Sequence, residues 1–150
     1  APGAVNRLLD LGVNPYLIGS SVQAIMAQRL VRTICEHCKE EYHPDEQYLK
    51  QVGFPLEDAA ETTFYRGTGC AECDGTGYSG RTAIFELMVN TEEINNAILR
   101  EASTDELRTL AMDNDMRTLR EDGFIKVRLG ETTLMEVARV TQAHGTVAAV

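Results

Sequence analysis

Apolar residues recur at helical spacing from the start of the chain. Ala4, Val5, Leu8 and Leu9 fall on one side of a 3.6-residue repeat, and Gly12 is placed to stop it. The pattern resumes in NPYLIGSSVQAIMAQRL, where Ile18, Val22, Ile25 and Met26 share a face and Pro15 sits near the helix start. Proline is tolerated there because the amide it lacks would have had no helical partner. Leu30 to Ile34 is a short apolar run that predicts a strand leading into Cys35. From Cys35 to Gly80 the helical period lapses outside DEQYLKQV, while Pro44, Gly53, Pro55, Gly67, Gly69, Gly75, Gly77 and Gly80 break the chain into turns. That stretch predicts a loop-rich insert with too few apolar side chains for a core of its own. RTAIFELMV, Arg81 to Val89, is the clearest strand.

Beyond Asn90 the chain turns helical. Thr91 is placed to cap EEINNAILR, and Ser103 with Glu106, Thr118 with Glu121 and Thr133 with Glu136 read as capping boxes. Leu107, Leu110 and Ala111, then Leu134, Val137 and Ala138, supply buried stripes. Three or four short helices are expected to end near Thr141, with a frayed tail after them.

All four cysteines, at 35, 38, 70 and 73, fall in C-x-x-C pairs, with 31 residues between the pairs. A two-residue spacer lets one turn aim both sulfurs at a point about 2.3 Å away, and two such turns facing each other complete a tetrahedron. Zinc suits four thiolates because it imposes no d-electron geometry. With every position filled by protein, the metal is structural and supplies the missing core of the insert. Other readings fit less well. Two disulfides are unusual in a cytoplasmic chain of this size. A single redox-active pair leaves the other pair unexplained. Iron–sulfur spacings group three cysteines closely, and His37 and His43 are surplus once four thiolates are present. Gly69, Gly75 and Gly77 allow the left-handed turns that bring backbone amides onto sulfur. The fold class that follows is α+β, mainly helical, with a small zinc-stapled loop and strand module between helical segments. Removing the metal is expected to unfold residues 35–80 and leave the helices after Asn90.

Composition narrows the function. Hydrophobic content of 43% and charged content of 25% are those of a globular chain. A net charge of −9 argues against binding to a phosphate backbone, so no nucleic-acid partner is expected. No apolar run reaches the ~20 residues of a membrane span, and residues 1–30 lack the order of a signal peptide. The cytoplasm is the default compartment. The opening APGAVNRLLD, already helical and without an initiator Met, is expected of a segment of a longer protein.

No reaction centre is visible, and the expected catalytic set is none. There is no Gly-Lys dipeptide, hence no Walker A loop within the chain. Glu92, Glu93, Glu121 and Asp122 sit at predicted helix starts, where the macrodipole accounts for them. Three other functions fit these residues less well. A zinc-ribbon nucleic-acid binder would present basic and aromatic residues. CDGTGYSG echoes the glycine-rich cysteine repeat of DnaJ-like chaperones, yet CEHCKEEYH lacks it. A dithiol oxidoreductase would not hold stoichiometric zinc.

APGAVNRLLDLGVNPYLIGSSVQAIMAQRLVRTIC, the paired C-x-x-C, GTGYSGRTAIFELM and MRTLREDGFIKVRLGETTLMEVARVT, in that order, resemble the closing segment of the type II secretion and type IV pilus assembly ATPases, including those of mannose-sensitive haemagglutinin pili. The resemblance covers nearly all of residues 1–141. It implies a cytoplasmic hexameric motor at the inner membrane face, with ATP and Mg²⁺ bound by Walker motifs upstream of this chain. It implies that residues 1–34 close a RecA-like ATPase domain, 35–80 form the family's zinc module, 81–141 a strand with a C-terminal helical part, and 142–150 a flexible tail. The zinc ligands carry over as Cys35, Cys38, Cys70 and Cys73. Arg29 and Arg32 are candidates for a nucleotide or subunit contact, beside the plainer reading as surface ion pairs. Arg117 and Arg120 are expected to cap a helix or pair with Glu121 and Asp122. The implied partners are neighbouring motor subunits and inner-membrane secretion or pilus platform proteins, with membrane association only through them.

Overall fold

The computed structural model describes residues 1–142. The tail expected to be flexible therefore lies, apart from Gln142, outside the described residues. Helices and strands are mixed, as an α+β fold requires. In order they are α1 (Gly3–Asp10), α2 (Pro15–Ser21), β1 (Ala24–Ile34), β2 (Lys39–Tyr42), α3 (Glu46–Val52), α4 (Leu56–Ala59), β3 (Phe64–Gly67), a 3-10 turn (Ala71–Cys73), β4 (Tyr78–Val89), α5 (Glu92–Leu99), α6 (Thr104–Asp113), α7 (Leu119–Arg128) and α8 (Leu134–Thr141). β1 pairs with β4, and β2 pairs with β3.

Two expectations about elements need correction. The helix after Pro15 stops at Ser21, and Ile25 and Met26 lie on β1 instead of on a helical face. Gly19, Ser20 and Ser21 are weak helix formers, and Val22 already has an extended ψ of 121°. In a strand, neighbouring side chains point to opposite faces; accordingly Ile25 is partly buried while Met26 is 61% exposed. The strand expected at 81–89 begins earlier, at Tyr78, inside the stretch read as loop.

Packing divides the chain into two compact units that are not sequential segments. One comprises Ala1–Gln28 with Phe85–Thr118. Its core gathers Val5, Ile18, Met88, Ile94, Ala97, Ile98, Leu107 and Ala111. Asn14, Thr91 and Ser103 cap α2, α5 and α6 by accepting the amides of Tyr16, Ile94 and Glu106. The Glu106 carboxylate does not need to complete a box, because it pairs with Arg100.

The other unit comprises Arg29–Ile84 with the described residues after Thr118. Here the insert does have a core, and it is shared. Leu49, Val52, Phe54 and Phe64 pack with Phe124 and Val127 of α7 and Leu134 and Val137 of α8. Phe54 meets Phe64 and Phe124 edge-on at centroid distances of 5.2 and 5.0 Å, the arrangement favoured by ring quadrupoles. The insert looked core-poor because its apolar partners lie more than fifty residues away in sequence. Arg120 donates to Thr141 Oγ1 and to the Val52 carbonyl.

Candidate metal centre

Strand pairing, more than the cysteine turns themselves, brings the two C-x-x-C knuckles face to face. The first knuckle joins β1 to β2, and the second joins β3 to β4. Because β1 pairs with β4 and β2 with β3, both turns are delivered to one place. β2 and β3 run antiparallel, with Lys39 opposite Gly67 and Tyr42 opposite Phe64. Beyond that ladder the Thr68 amide donates to the Cys38 carbonyl at 3.0 Å, and the Cys35 amide donates to the Gly77 carbonyl at 3.0 Å. The two knuckles are thereby stitched to each other's flanks.

All four sulfurs lie within 4.8 Å of one another. Cys35–Cys70, Cys38–Cys73 and Cys70–Cys73 are separated by 3.9, 3.8 and 3.7 Å. A regular tetrahedron with zinc–sulfur bonds of about 2.3 Å has edges of about 3.8 Å. The four thiols are free of disulfides, and their spacing is that of a four-thiolate site and far from a sulfur–sulfur bond. Amides point at the sulfurs as a negatively charged centre requires. Gly69 donates to Cys38 Sγ at 3.3 Å, while Cys70 and Gly77 each donate to Cys73 Sγ at 3.2 Å.

These amides are aimed by close backbone contact. A Cβ on Gly77 would lie 2.4 Å from the Gly67 carbonyl oxygen, and one on Gly67 would lie 2.0 Å from that of Gly77. Neither position admits a side chain while the chains stay this close.

Electrostatics single out one sulfur. The Cys70 amide pulls the Cys73 thiol down, burial opposes it, and the Gly77 amide adds to the pull, leaving it at about 6. Burial pushes Cys70 up to about 11, with its hydrogen bond to Cys73 adding to the rise. Burial likewise raises Cys38. One thiolate forms readily, and Cys38 and Cys70 resist ionising beside it; a divalent cation among them would favour the thiolate.

The remaining sequence candidates sit apart from this cluster. His37 and His43 are exposed, and neither belongs to the group of clustered ligands. Arg29 is exposed on β1. Arg32 is engaged within the protein: its guanidinium bonds the Glu136 carboxylate and lies 4.0 Å from the Tyr78 ring centroid. Glu92 and Glu93 occupy the first turn of α5, and Glu121 and Asp122 that of α7. Glu136 is the residue that sequence reasoning undervalued. Its amide is capped by Thr133 as expected, but the carboxylate is fully buried and holds Arg32 and Arg139. Nothing in the sequence separates it from an ordinary capping glutamate.

The sequence profile of the type II/IV secretion system protein family matches residues 1–139. The chain belongs to that family. This type II/IV secretion system segment is 44% identical over 137 residues to the type IV pilus assembly ATPase PilB of Thermus thermophilus, covering 91% of the chain and 15% of that protein. It is 42% identical over 142 residues to type II secretion system protein E of Pseudomonas aeruginosa, covering 95% of the chain and 28% of the relative. The type II secretion system ATPase E of Vibrio cholerae is 42% identical over 146 residues, with the same coverage of 95% and 28%. The chain thus spans less than a third of the length of these relatives. Among the described residues, no helix is long and apolar enough to cross a membrane.

Proposed function

We propose that this chain is the zinc-bearing closing part of a motor ATPase that drives type II protein secretion or type IV pilus assembly. The observation that carries the reading is the family match over residues 1–139, together with relatives named for both machines. In this reading Cys35, Cys38, Cys70 and Cys73 hold one zinc ion, and the ion is structural because no coordination position remains for water or substrate. The chain carries no nucleotide site of its own. ATP and Mg²⁺ belong to the whole motor, which works as a hexamer on the cytoplasmic side of the inner membrane. Residues 1–34 close its RecA-like domain, and 35–80 and 81–141 serve contacts with neighbouring subunits and inner-membrane platform proteins. The net charge of −9 supports a protein partner over nucleic acid. Arg29, exposed midway along β1, is the candidate for a subunit or nucleotide contact.

Elemental analysis of the purified chain tests the metal reading directly: one zinc per chain is expected, lost when Cys35 and Cys70 are both replaced by Ser. Zinc-free, folded protein would overturn it. Replacing the same cysteines in the whole motor is expected to abolish secretion or piliation, and unimpaired assembly would overturn the proposed role.

A further inference from the structure

Burying a carboxylate is costly, and an apolar side chain of similar size would usually serve stability as well or better. Glu136 is nevertheless fully buried, and its two oxygens accept five hydrogen bonds. The Arg32 amide, Nε and Nη2 donate at 3.1, 3.1 and 2.8 Å. Arg139 Nε and Nη2 donate at 3.1 and 2.6 Å. The surroundings of this carboxylate are equally specific. Tyr78, stacked on Arg32, bonds Thr133 Oγ1 through its hydroxyl at 2.8 Å. Thr132 Oγ1 donates to the Arg32 carbonyl at 2.7 Å, and the Ile34 amide donates to the Glu131 carbonyl at 2.9 Å. The start of α8 is therefore fastened to two strand ends at once, β1 through Arg32 and Ile34, and β4 through Tyr78.

Those two ends are the roots of the cysteine knuckles. Ile34 precedes Cys35, and Tyr78 follows Gly77, whose amide donates to Cys73 Sγ. We infer that Glu136 is a positioning residue of the cysteine centre: through Arg32 and Tyr78 it fixes the separation of the two knuckle roots, and so the geometry offered to the metal. The inference rests on the four cysteines holding a metal. Glu136 touches no sulfur and acts as the outer partners of metal ligands do, whose loss weakens metal binding about 10–100-fold. Binding coupling is reciprocal, so an ion among the thiolates tightens the base of α8 in return.

Cobalt(II), which reports tetrahedral thiolate ligation by its visible bands, provides the test. Titrated in competition with a chelator, Glu136→Gln is expected to bind cobalt about 10–100-fold more weakly than the unaltered chain, with displaced bands. Val137→Ala, which removes methyl groups from the apolar side of the same helix, lowers the melting temperature, weakens cobalt binding only as far as it destabilises the fold, and leaves the bands unchanged. Equal binding by Glu136→Gln and the unaltered chain overturns the inference, as does equal weakening in the two variants. Failure of the unaltered chain to bind cobalt overturns the metal reading itself and this inference with it. Should Glu136→Gln not fold, hydrogen exchange on the unaltered chain decides. Zinc is expected to slow exchange at Glu136 and Val137 as well as at Lys39–Tyr42, and unchanged exchange at Glu136 and Val137 overturns the inference.

Discussion

At the scale of single residues, the candidate metal centre depends on atoms that are absent. Gly75 and Gly77 both have positive φ, at 74° and 76°, so alanine at either is strained by about 1 kcal/mol. Only Gly77 also meets another backbone, since a Cβ on Gly75 has nothing within 4 Å. Gly77→Ala is therefore expected to weaken zinc binding about tenfold or more, and Gly75→Ala much less, as read by chelator competition. Glu136 carries a second residue-scale prediction. Burial alone would raise its pKa, but the ion pairs with Arg139 and Arg32 and the Arg32 amide outweigh burial and bring it down to about 2. The unfolded value is about 4.3. The stabilisation is therefore complete above that value and lost as pH falls through about 4 toward 2. At pH 7 the Glu136→Gln variant is expected to lose about 2–3 kcal/mol in urea unfolding; a loss under about 1 kcal/mol would reject the assignment.

Among the elements, β1 and the insert teach the same lesson. Ala24–Ile34 has a mixed pattern that fits a helix nearly as well as a strand, and its ladder partner β4 lies about fifty residues on in the chain. The pairing decided the state. Capping was more readable: Thr91, Ser103 and Thr133 each accept the amide expected of them, because a cap involves residues only three apart. Their acidic partners were not readable in the same way, since Glu106 and Glu136 are drawn to Arg100, Arg32 and Arg139. The aromatic contacts that tie the insert to α7 make Phe54 a decisive position. Phe54→Ala is expected to destabilise the unit by about 3–5 kcal/mol, measured by denaturant unfolding followed through Tyr absorbance. A loss under 1 kcal/mol would mean the shared core contributes little.

For the whole molecule, the division into two units changes the expected response to metal loss. The insert shares its core with α7 and α8, whereas α5 and α6 belong to the other unit. Chelation is thus expected to loosen residues 29–84 together with α7 and α8, and to spare α5 and α6. Hydrogen exchange mapped along the chain checks this: slow exchange retained in α7 and α8 after zinc removal would restore the simpler picture in which only the insert unfolds. The structural zinc sites of small peptides bind with about 10–16 kcal/mol near neutral pH, a scale comparable with the stability of an entire domain, so loss of the proposed ion is expected to reach beyond the loop that would hold it.

The sequence by itself determined the four cysteines and their spacing, the helix caps, the absence of a Walker A loop and the family resemblance. Each of these is a statement about residues a few positions apart or about the order of motifs. Tertiary structure alone decided that β1 starts at Ala24, well ahead of the strand read at Leu30–Ile34, that the insert takes its core from α7 and α8, that Gly67 and Gly77 must touch, and that Glu136 is the buried hub between Arg32 and Arg139. All but the Glu136–Arg139 pair depend on contacts between residues far apart in sequence. A local pattern carries no record of which distant partner closes the ladder or neutralises the charge.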